Sequence, residues 1–189
     1  MSNIFKSLFS KKKRIQPLNE EDLKRNIDNL KIIGFKLPEG ILNRIKEDNW
    51  KVPKDKKNLK ELIIENAPFE EGKNWSNSFV NNLYLYQLRT MVTESEHLVN
   101  WLHPKWKKDR IVYLGKKDKN VYPGNIEPNK VILFADFGLG SDTAFGLDYR
   151  EDKDNPIVIL EYWGKNPETD NRWKKIANSF DEFEKRIWK

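Results

Sequence analysis

The stretch "ILFADFGLGSDTAFGLDYR", residues 132–150, places a glycine-rich and acidic segment between two apolar runs. The run "NKVILFADF" enters it and the run "TAFGLDYR" leaves it, and both are predicted to be strands. Glycine supplies positive φ and aspartate bonds to its own backbone, which are the properties that tight turns require. The stretch therefore predicts a β-hairpin, with its aspartates near the turn and exposed to solvent.

Segments on either side of this hairpin predict a domain of mixed helices and strands. Further strands are expected at "LYLYQL", "RIVYLG" and "PIVILEYW", the last apolar enough to be buried on both faces. Helices are expected over "LPEGILNRIKEDNW", over "TESEHLVNWLHPKW" with a capping box at Thr93 and Glu96, and after Ser179. "GKNPETDNRW" is expected to be a loop. Strands joined by short turns indicate an α+β fold, with a largely antiparallel or mixed sheet and helices packed against it.

The charge of the chain is unevenly distributed. The formal net charge is +6, but residues 1–60 hold 16 Lys/Arg against 8 Asp/Glu, whereas the remaining residues hold 19 against 21. We expect residues 1–17, which join a short apolar face to "KKKR", to be a basic flexible arm, and residues 18–189 to form one domain. The arm could also contact an anionic membrane. Because the positive charge lies outside the sheet region, nucleic acid is not the expected partner.

Several kinds of active site are excluded by residue content. The chain has no cysteine, so disulfides, thiolate metal sites and cysteine nucleophiles are impossible, and the cytoplasm is the expected compartment. No apolar run approaches the roughly 20 residues that span a bilayer. Its two histidines, His97 and His103, match no zinc-hydrolase spacing and are expected to be ordinary surface or half-buried side chains. No G-x-S-x-G elbow is present, so a hydrolase triad has no visible nucleophile. We expect no cofactor.

Asp136, Asp142 and Asp148, each six residues apart, leave three interpretations open. They could be turn residues, which the glycine content favours; they could form an acidic edge that faces a partner; or they could bind Ca²⁺ or Mg²⁺ through their oxygens. In a hairpin, Asp136 and Asp148 would flank the turn and Asp142 would lie near its tip. The turn interpretation needs no ligand, and we take it as the first expectation, with no metal bound.

The C-terminal half resembles the SUKH superfamily, which includes a fungal regulator of cell-wall synthesis and many bacterial immunity proteins. The resemblance rests on "FADFGLGSDTAFGLDY", then "NPIVILEYW", then "IANSFDEFEKRI", over residues 120–188. "LPEG" and the residues that follow, over 37–50, are similar to the early helix of the family, with Trp50 where the family has glycine. Residues 1–36 and most of 51–115 show no resemblance.

This resemblance implies an α+β fold and a protein that binds rather than catalyses. The bacterial members are thought to neutralise toxin domains, often nucleases, by docking onto them, so a cognate toxin is the expected partner. Interface hot spots favour Trp, Tyr and Arg. The candidate partner-binding residues are Asp136, Asp142, Asp148, Tyr149, Arg150, Trp163 and Trp173. The last four could equally be packed in the core, and a core position is the favoured interpretation for Trp163 because it lies at a strand end. Immunity proteins against nucleases are often acidic, so in this basic chain either the acidic character is local to residues 132–154 or the toxin is not a basic nuclease.

Two alternative functions follow from other features. A regulatory scaffold would use the basic arm to reach a membrane or a partner, as the fungal relative suggests. A metal-dependent enzyme would be built around Asp136, Asp142 and Asp148. The direct binding of a toxin is the leading hypothesis.

Overall fold

A six-stranded antiparallel sheet organises the protein. A computed structural model describes residues 34–66, 80, 82–107, 110–137, 143–163 and 167–188, together with positions 21, 24, 25 and 28. The strands are β1 (Tyr84–Leu85), β2 (Pro123–Gly124), β3 (Val131–Asp136), β4 (Ala144–Asp148), β5 (Ile157–Trp163) and β6 (Asn171–Ala177). The helices are α1 (Glu39–Lys46), α2 (Lys57–Asn66), α3 (Leu88–Asn100), α4 (Arg110–Leu114), α5 (Pro167–Asp170) and α6 (Phe180–Ile187), with 3₁₀ turns at Pro104–Trp106 and Pro128–Lys130.

The strand order is β1-β3-β4-β5-β6-β2, and every neighbouring pair is antiparallel. β3, β4, β5 and β6 therefore follow one another as a meander, while the two-residue strands β1 and β2 cover its edges. Each edge strand pairs through only two residues, and very short edge strands limit pairing with other chains. The α+β class and the antiparallel sheet expected from sequence are confirmed.

One face of the sheet is covered by α1, α2 and α6 through an aromatic cluster. Phe134 on β3 contacts Phe180 and Phe183 on α6 edge to face, with ring centroids 5.9 and 5.8 Å apart. Trp50 packs on Phe134 and on Trp188 at 6.4 and 5.7 Å. Such ring pairs contribute roughly 0.5–1.5 kcal/mol each beyond the area that they bury. The cluster joins the early helices to the C-terminal helix across the sheet.

The opposite face is covered by α3 and α4. Ser95, buried within α3, accepts a hydrogen bond from the backbone N–H of Leu133 at 3.1 Å and so fixes the helix to β3. Arg110 at the start of α4 donates from Nε to the carbonyl oxygen of Trp101 at 3.2 Å. These two contacts hold α3 and α4 at a defined separation above the strands.

Several predicted elements are confirmed. The hairpin strands, the doubly buried β5 and the closing helix lie where the sequence placed them. Ser179 caps the closing helix by accepting from the Glu182 N–H at 3.1 Å. The Glu182 carboxylate in turn accepts from the backbone N–H of Asn178 at 2.8 Å, one residue before the N-cap N–H that a capping box uses.

Three local predictions are wrong. "RIVYLG" forms helix α4, and α3 begins at Leu88, so Thr93 lies inside it instead of capping it. Within "GKNPETDNRW", which was predicted as loop, "PETD" forms the short helix α5 and "NRW" begins strand β6. β6 is strand because it pairs with β5 on one side and β2 on the other, and this pairing outweighs the weak strand propensity of its Asn, Arg and Lys residues.

The predicted arm at residues 1–17 lies outside the described residues, and the single domain over 18–189 stays a prediction. No helix in the described ranges is long and apolar enough to cross a membrane.

Gly146 on β4 leaves no room for a side chain and generates a stability prediction. A Cβ added there would lie 2.9 Å from Val131 Cγ1 and 3.2 Å from Ile159 Cγ1, both buried and branched. We expect Gly146→Ala to lower the free energy of unfolding by about 1–3 kcal/mol through overpacking, measured by urea denaturation. The double variant Gly146→Ala with Val131→Ala should lose less free energy of unfolding than the sum of the losses of the two single variants. Strictly additive losses would contradict the proposed clash between an alanine at 146 and Val131.

Candidate functional site

Asp136 and Asp148 lie at opposite ends of the hairpin. Asp136 pairs with Ala144 next to the turn, whereas Asp148 pairs with Val131 at the far end of β4. Four residue steps along β4, from Ala144 to Asp148, correspond to roughly 13 Å. The expectation that the two aspartates flank the turn is therefore wrong for Asp148, because the register moves it to the loop that joins β4 to β5. Asp142 lies outside the described residues.

Asp136 is half-buried and accepts a hydrogen bond from the Tyr86 hydroxyl at 2.9 Å. Burial, followed by the Asp136 carboxylate, raises the pKa of Tyr86 above its ordinary value. The backbone oxygen of Tyr86 in turn accepts from Trp50 Nε1 at 2.8 Å. Asp136 thus anchors the segment after β1 to the turn end of the hairpin, in addition to the surface that it exposes.

Asp148 forms a buried ion pair with Arg150. The Asp148 side chain is 1% exposed, and Arg150 reaches it from Nε at 3.0 and 2.9 Å and from an Nη atom at 2.6 Å. Burial alone would lower the pKa of Arg150, but the hydrogen-bonded Asp148 carboxylate offsets this and leaves the pKa raised. The expectation that the carboxylates stay exposed is therefore wrong for Asp148, since this strand end is packed between neighbours and needs a fixed counter-charge.

Tyr149 and Trp173 belong to the core. The Tyr149 ring stacks on Phe35 with centroids 4.5 Å apart, and its hydroxyl donates to the Lys36 carbonyl at 2.8 Å. Trp173 is 1% exposed on β6, and its Nε1 donates to the Tyr113 carbonyl at 3.3 Å. Both rings pack inside the domain, as does Asp148. The assignment of the seven candidates to partner binding stays a prediction. Asp136 and Arg150 are the candidates that the structure shows with accessible surface. Asp142 and the side chain of Trp163 lie outside the described part of the chain.

An acidic surface surrounds Arg150. The loop after β4 exposes Glu151, Asp152 and Asp154, with Lys153 exposed among them. The Asp152 carboxylate fixes the shape of the loop by accepting from the backbone N–H of Asp154 at 2.8 Å. Tyr122, 46% exposed, lies beside this loop and bonds to Glu151. We call Tyr122, Arg150, Glu151, Asp152 and Asp154 the acidic face. The acidic face could have been found in the sequence from "REDKD", residues 150–154, but the sequence analysis concentrated on the aspartates of the hairpin. Tyr122 could not have been found in this way, because only the pairing of β2 with β6 brings it beside the loop.

A concave feature, separate from the acidic face, lies between α3 and α4 over the sheet. It is a cleft of about 550 Å³ to which both histidines of the chain contribute. Because the two histidines are six residues apart, they could not lie on the same face of one helix. However, α3 ends at Asn100, and the chain then turns so that His103 lines the same cleft as His97. Sequence spacing could not find this because the turn after α3 brings them together.

Within the described ranges, which omit Asp142, no three His, Asp or Glu side chains converge in a way that could hold a metal ion. Comparison with known proteins found no matching family model, no matching curated protein and no matching solved structure.

The buried ion pair generates a second stability prediction. Arg150→Ala leaves the Asp148 carboxylate buried without its counter-charge, and we expect a loss of about 3 kcal/mol in the free energy of unfolding. Arg186→Ala is the matched control, because Arg186 pairs with the exposed Glu65, and its loss should stay below about 1 kcal/mol. Equal losses for both variants in urea denaturation would contradict the distinction.

Tyr122 generates a prediction of pH dependence. Partial burial, followed by the hydrogen bond with Glu151, raises the pKa of Tyr122 from 10.0 to about 12. The folded protein therefore holds this proton more tightly than the unfolded chain, so the associated stability is present below pH 10 and is lost as the pH rises toward 12. We expect the stability of the wild type to fall more steeply over this interval than that of Tyr122→Phe. Glu151→Gln should reduce the difference in slope from Tyr122→Phe. Parallel curves of stability against pH for all three proteins would contradict this prediction.

Proposed function

We propose that this protein is a non-catalytic binding module that neutralises a toxin domain by direct docking, in the manner of SUKH-type immunity proteins. The observation that carries the proposal is the acidic face, where a loop with three exposed carboxylates and one exposed lysine, Lys153, lies beside the exposed Tyr122 on a chain whose net charge is +6. A protein that binds a basic partner needs local, not global, negative charge, because potentials act over a Debye length of about 10 Å at ordinary salt.

The composition of the acidic face supports a protein partner. Tyr122 and Arg150 are of the residue types enriched among binding hot spots. The ion pair with Asp148 and the turn built by Asp152 hold the loop in one shape, so little conformational entropy would be lost when it is covered. The carboxylates of Glu151, Asp152 and Asp154 would form the rim and would favour a basic surface.

The architecture is compatible with this function. The strands that carry the SUKH resemblance, β3 to β5, and the closing helix α6 form the centre of the sheet and of its aromatic cluster. The resemblance therefore covers the scaffold, and the acidic face lies in the loop between two of its strands. Such a division is usual for binding domains, where a rigid scaffold positions variable loops. We place the protein in the cytoplasm, where an immunity protein would meet an incoming toxin.

Co-expression with candidate toxin domains encoded beside its gene tests the proposal. The wild type should restore growth and form a complex on size exclusion. Tyr122→Ala should weaken the complex at least about 30-fold, because it removes a central anchor. Tyr84→Ala is the matched control: Tyr84 is 50% exposed against 46% for Tyr122, but it lies on the opposite edge of the sheet.

Charge reversal gives an independent readout of the same face. Glu151→Lys with Asp154→Lys should slow association and abolish protection, whereas Glu47→Lys with Glu96→Lys, the same charge change at exposed sites elsewhere, should not. A complex unaffected by both the tyrosine and the lysine variants would exclude the acidic face. A wild type that neither binds nor protects against any neighbouring toxin would exclude the function.

A further inference from the structure

The loop that carries most of the acidic face has no buried side chain of its own. Residues 150–155, between β4 and β5, are exposed or half-buried, whereas Tyr149 before them and Pro156 after them are buried. The hydrogen bonds that Asp148 and Asp152 accept set the internal shape of the loop. The direction in which the loop leaves the sheet therefore depends on how its buried ends are held.

Tyr149 is held by the segment that precedes α1. Its ring stacks on Phe35 with the centroids 4.5 Å apart and the planes inclined by 20°, and its hydroxyl donates to the Lys36 carbonyl at 2.8 Å. We call this arrangement the Tyr149 contact. The backbone N–H of Tyr149 donates to the Lys130 carbonyl at 2.9 Å, so the main chain is fixed beside β3 while the side chain is fixed by the segment before α1. The stacked ring and the directed hydrogen bond together fix both the position and the rotation of the tyrosine.

The Tyr149 contact is buried and fully hydrogen-bonded. Tyr149 is 3% exposed, and burial raises the pKa of its hydroxyl above the ordinary value, so the group stays a neutral donor. A buried hydroxyl needs a hydrogen-bond partner, and the Lys36 carbonyl supplies it. Phe35 is half-buried and packs against the core, so the segment before α1 is itself anchored. A shift of residues 35–36 would therefore move Tyr149.

Arg150 connects the Tyr149 contact to the acidic face. It is the next residue in the chain, and its guanidinium forms the bidentate pair with Asp148. Glu151 follows and bonds to Tyr122, which lies directly before β2. The acidic face thus depends on contacts from two distant parts of the chain, residues 35–36 and Tyr122.

We propose that Phe35 and Lys36 are positioning residues of the acidic face, which hold its loop in the shape that docks by fixing Tyr149. Both lie outside the two stretches of SUKH resemblance, which cover residues 37–50 and 120–188. A chain with the same C-terminal half but another segment before α1 would direct its loop differently, so this segment contributes to the choice of partner. The role in docking rests on the proposed function, whereas the Tyr149 contact is a property of the free protein.

Backbone ¹⁵N order parameters of the free, full-length protein test the positioning. We expect about 0.85, the value of rigid backbone, over residues 150–155 in the wild type and less than about 0.6 in Phe35→Ala, which removes the stacked ring. Phe35→Tyr keeps a ring of the same shape and should retain the wild-type values. Tyr149→Phe removes only the hydrogen bond to Lys36 and should give intermediate values.

Two controls separate local positioning from a general loss of stability. The loop at residues 116–120, which Lys116 fixes to β6 by donating to the Asn171 carbonyl, should keep its order parameters in every variant. Leu42→Ala, which truncates another half-buried side chain packed on the core, should leave residues 150–155 rigid. A flexible loop in the wild type, or an unchanged one in Phe35→Ala, overturns the proposal. If Phe35→Ala does not fold, unchanged order parameters in Tyr149→Phe overturn it.

Partner affinity tests the docking role separately. With a toxin domain that binds the wild type, Phe35→Ala should weaken the complex about tenfold and Phe35→Tyr should not, because a disordered loop must be ordered again on binding. Full affinity of Phe35→Ala despite a disordered loop overturns the docking role and leaves the proposed function standing. A wild type that binds no neighbouring toxin removes the proposed function and the docking role together, while the order parameters still decide the positioning.

Discussion

The burial of β3, β4 and β5 on both faces constrains the rest of this molecule. All five residues of β4 are buried, and Gly146 is there because the side chains of Val131 and Ile159 close over it. A strand with no solvent face needs cover on two sides, which α6 with its phenylalanines provides on one side and α3 with α4 on the other. The loops at the two ends of these strands are then the places where polar groups can reach water.

Two acidic side chains, Asp148 and Glu161, are buried in this sheet, and their hydrogen-bond partners differ. Asp148 ends β4 beside an arginine two residues away, so its charge is matched locally by a bidentate pair. Glu161 is oriented by an amide from the neighbouring strand and lines an open cleft. A buried charge is costly unless it is paired, so the pairing of Asp148 with Arg150 suits a structural role.

Charge distribution, not net charge, separates the surfaces of this protein. The excess of lysine and arginine lies in residues 1–60, whereas the loop after β4 displays three carboxylates around Tyr122 and Arg150. Screening limits each surface charge to its own neighbourhood, so a basic chain can still present an acidic face to a basic partner. The acidic loop and the cleft lie toward opposite ends of β5, and each can be altered without touching the other.

The sequence by itself determined the α+β class, the hairpin strands, the buried β5 and the capped closing helix, because these depend on local periodicity and turn chemistry. Only the tertiary structure decided that "NRWKKIA" is a strand, since its polar residues gain strand pairing from both neighbours. It likewise decided that Tyr149 and Trp173 are core residues, that Tyr122 lies beside the acidic loop and that the two histidines line one cleft. The physical reason is that strand register and the packing of helices on the sheet set which residues meet, and neither is encoded in a short window of residues.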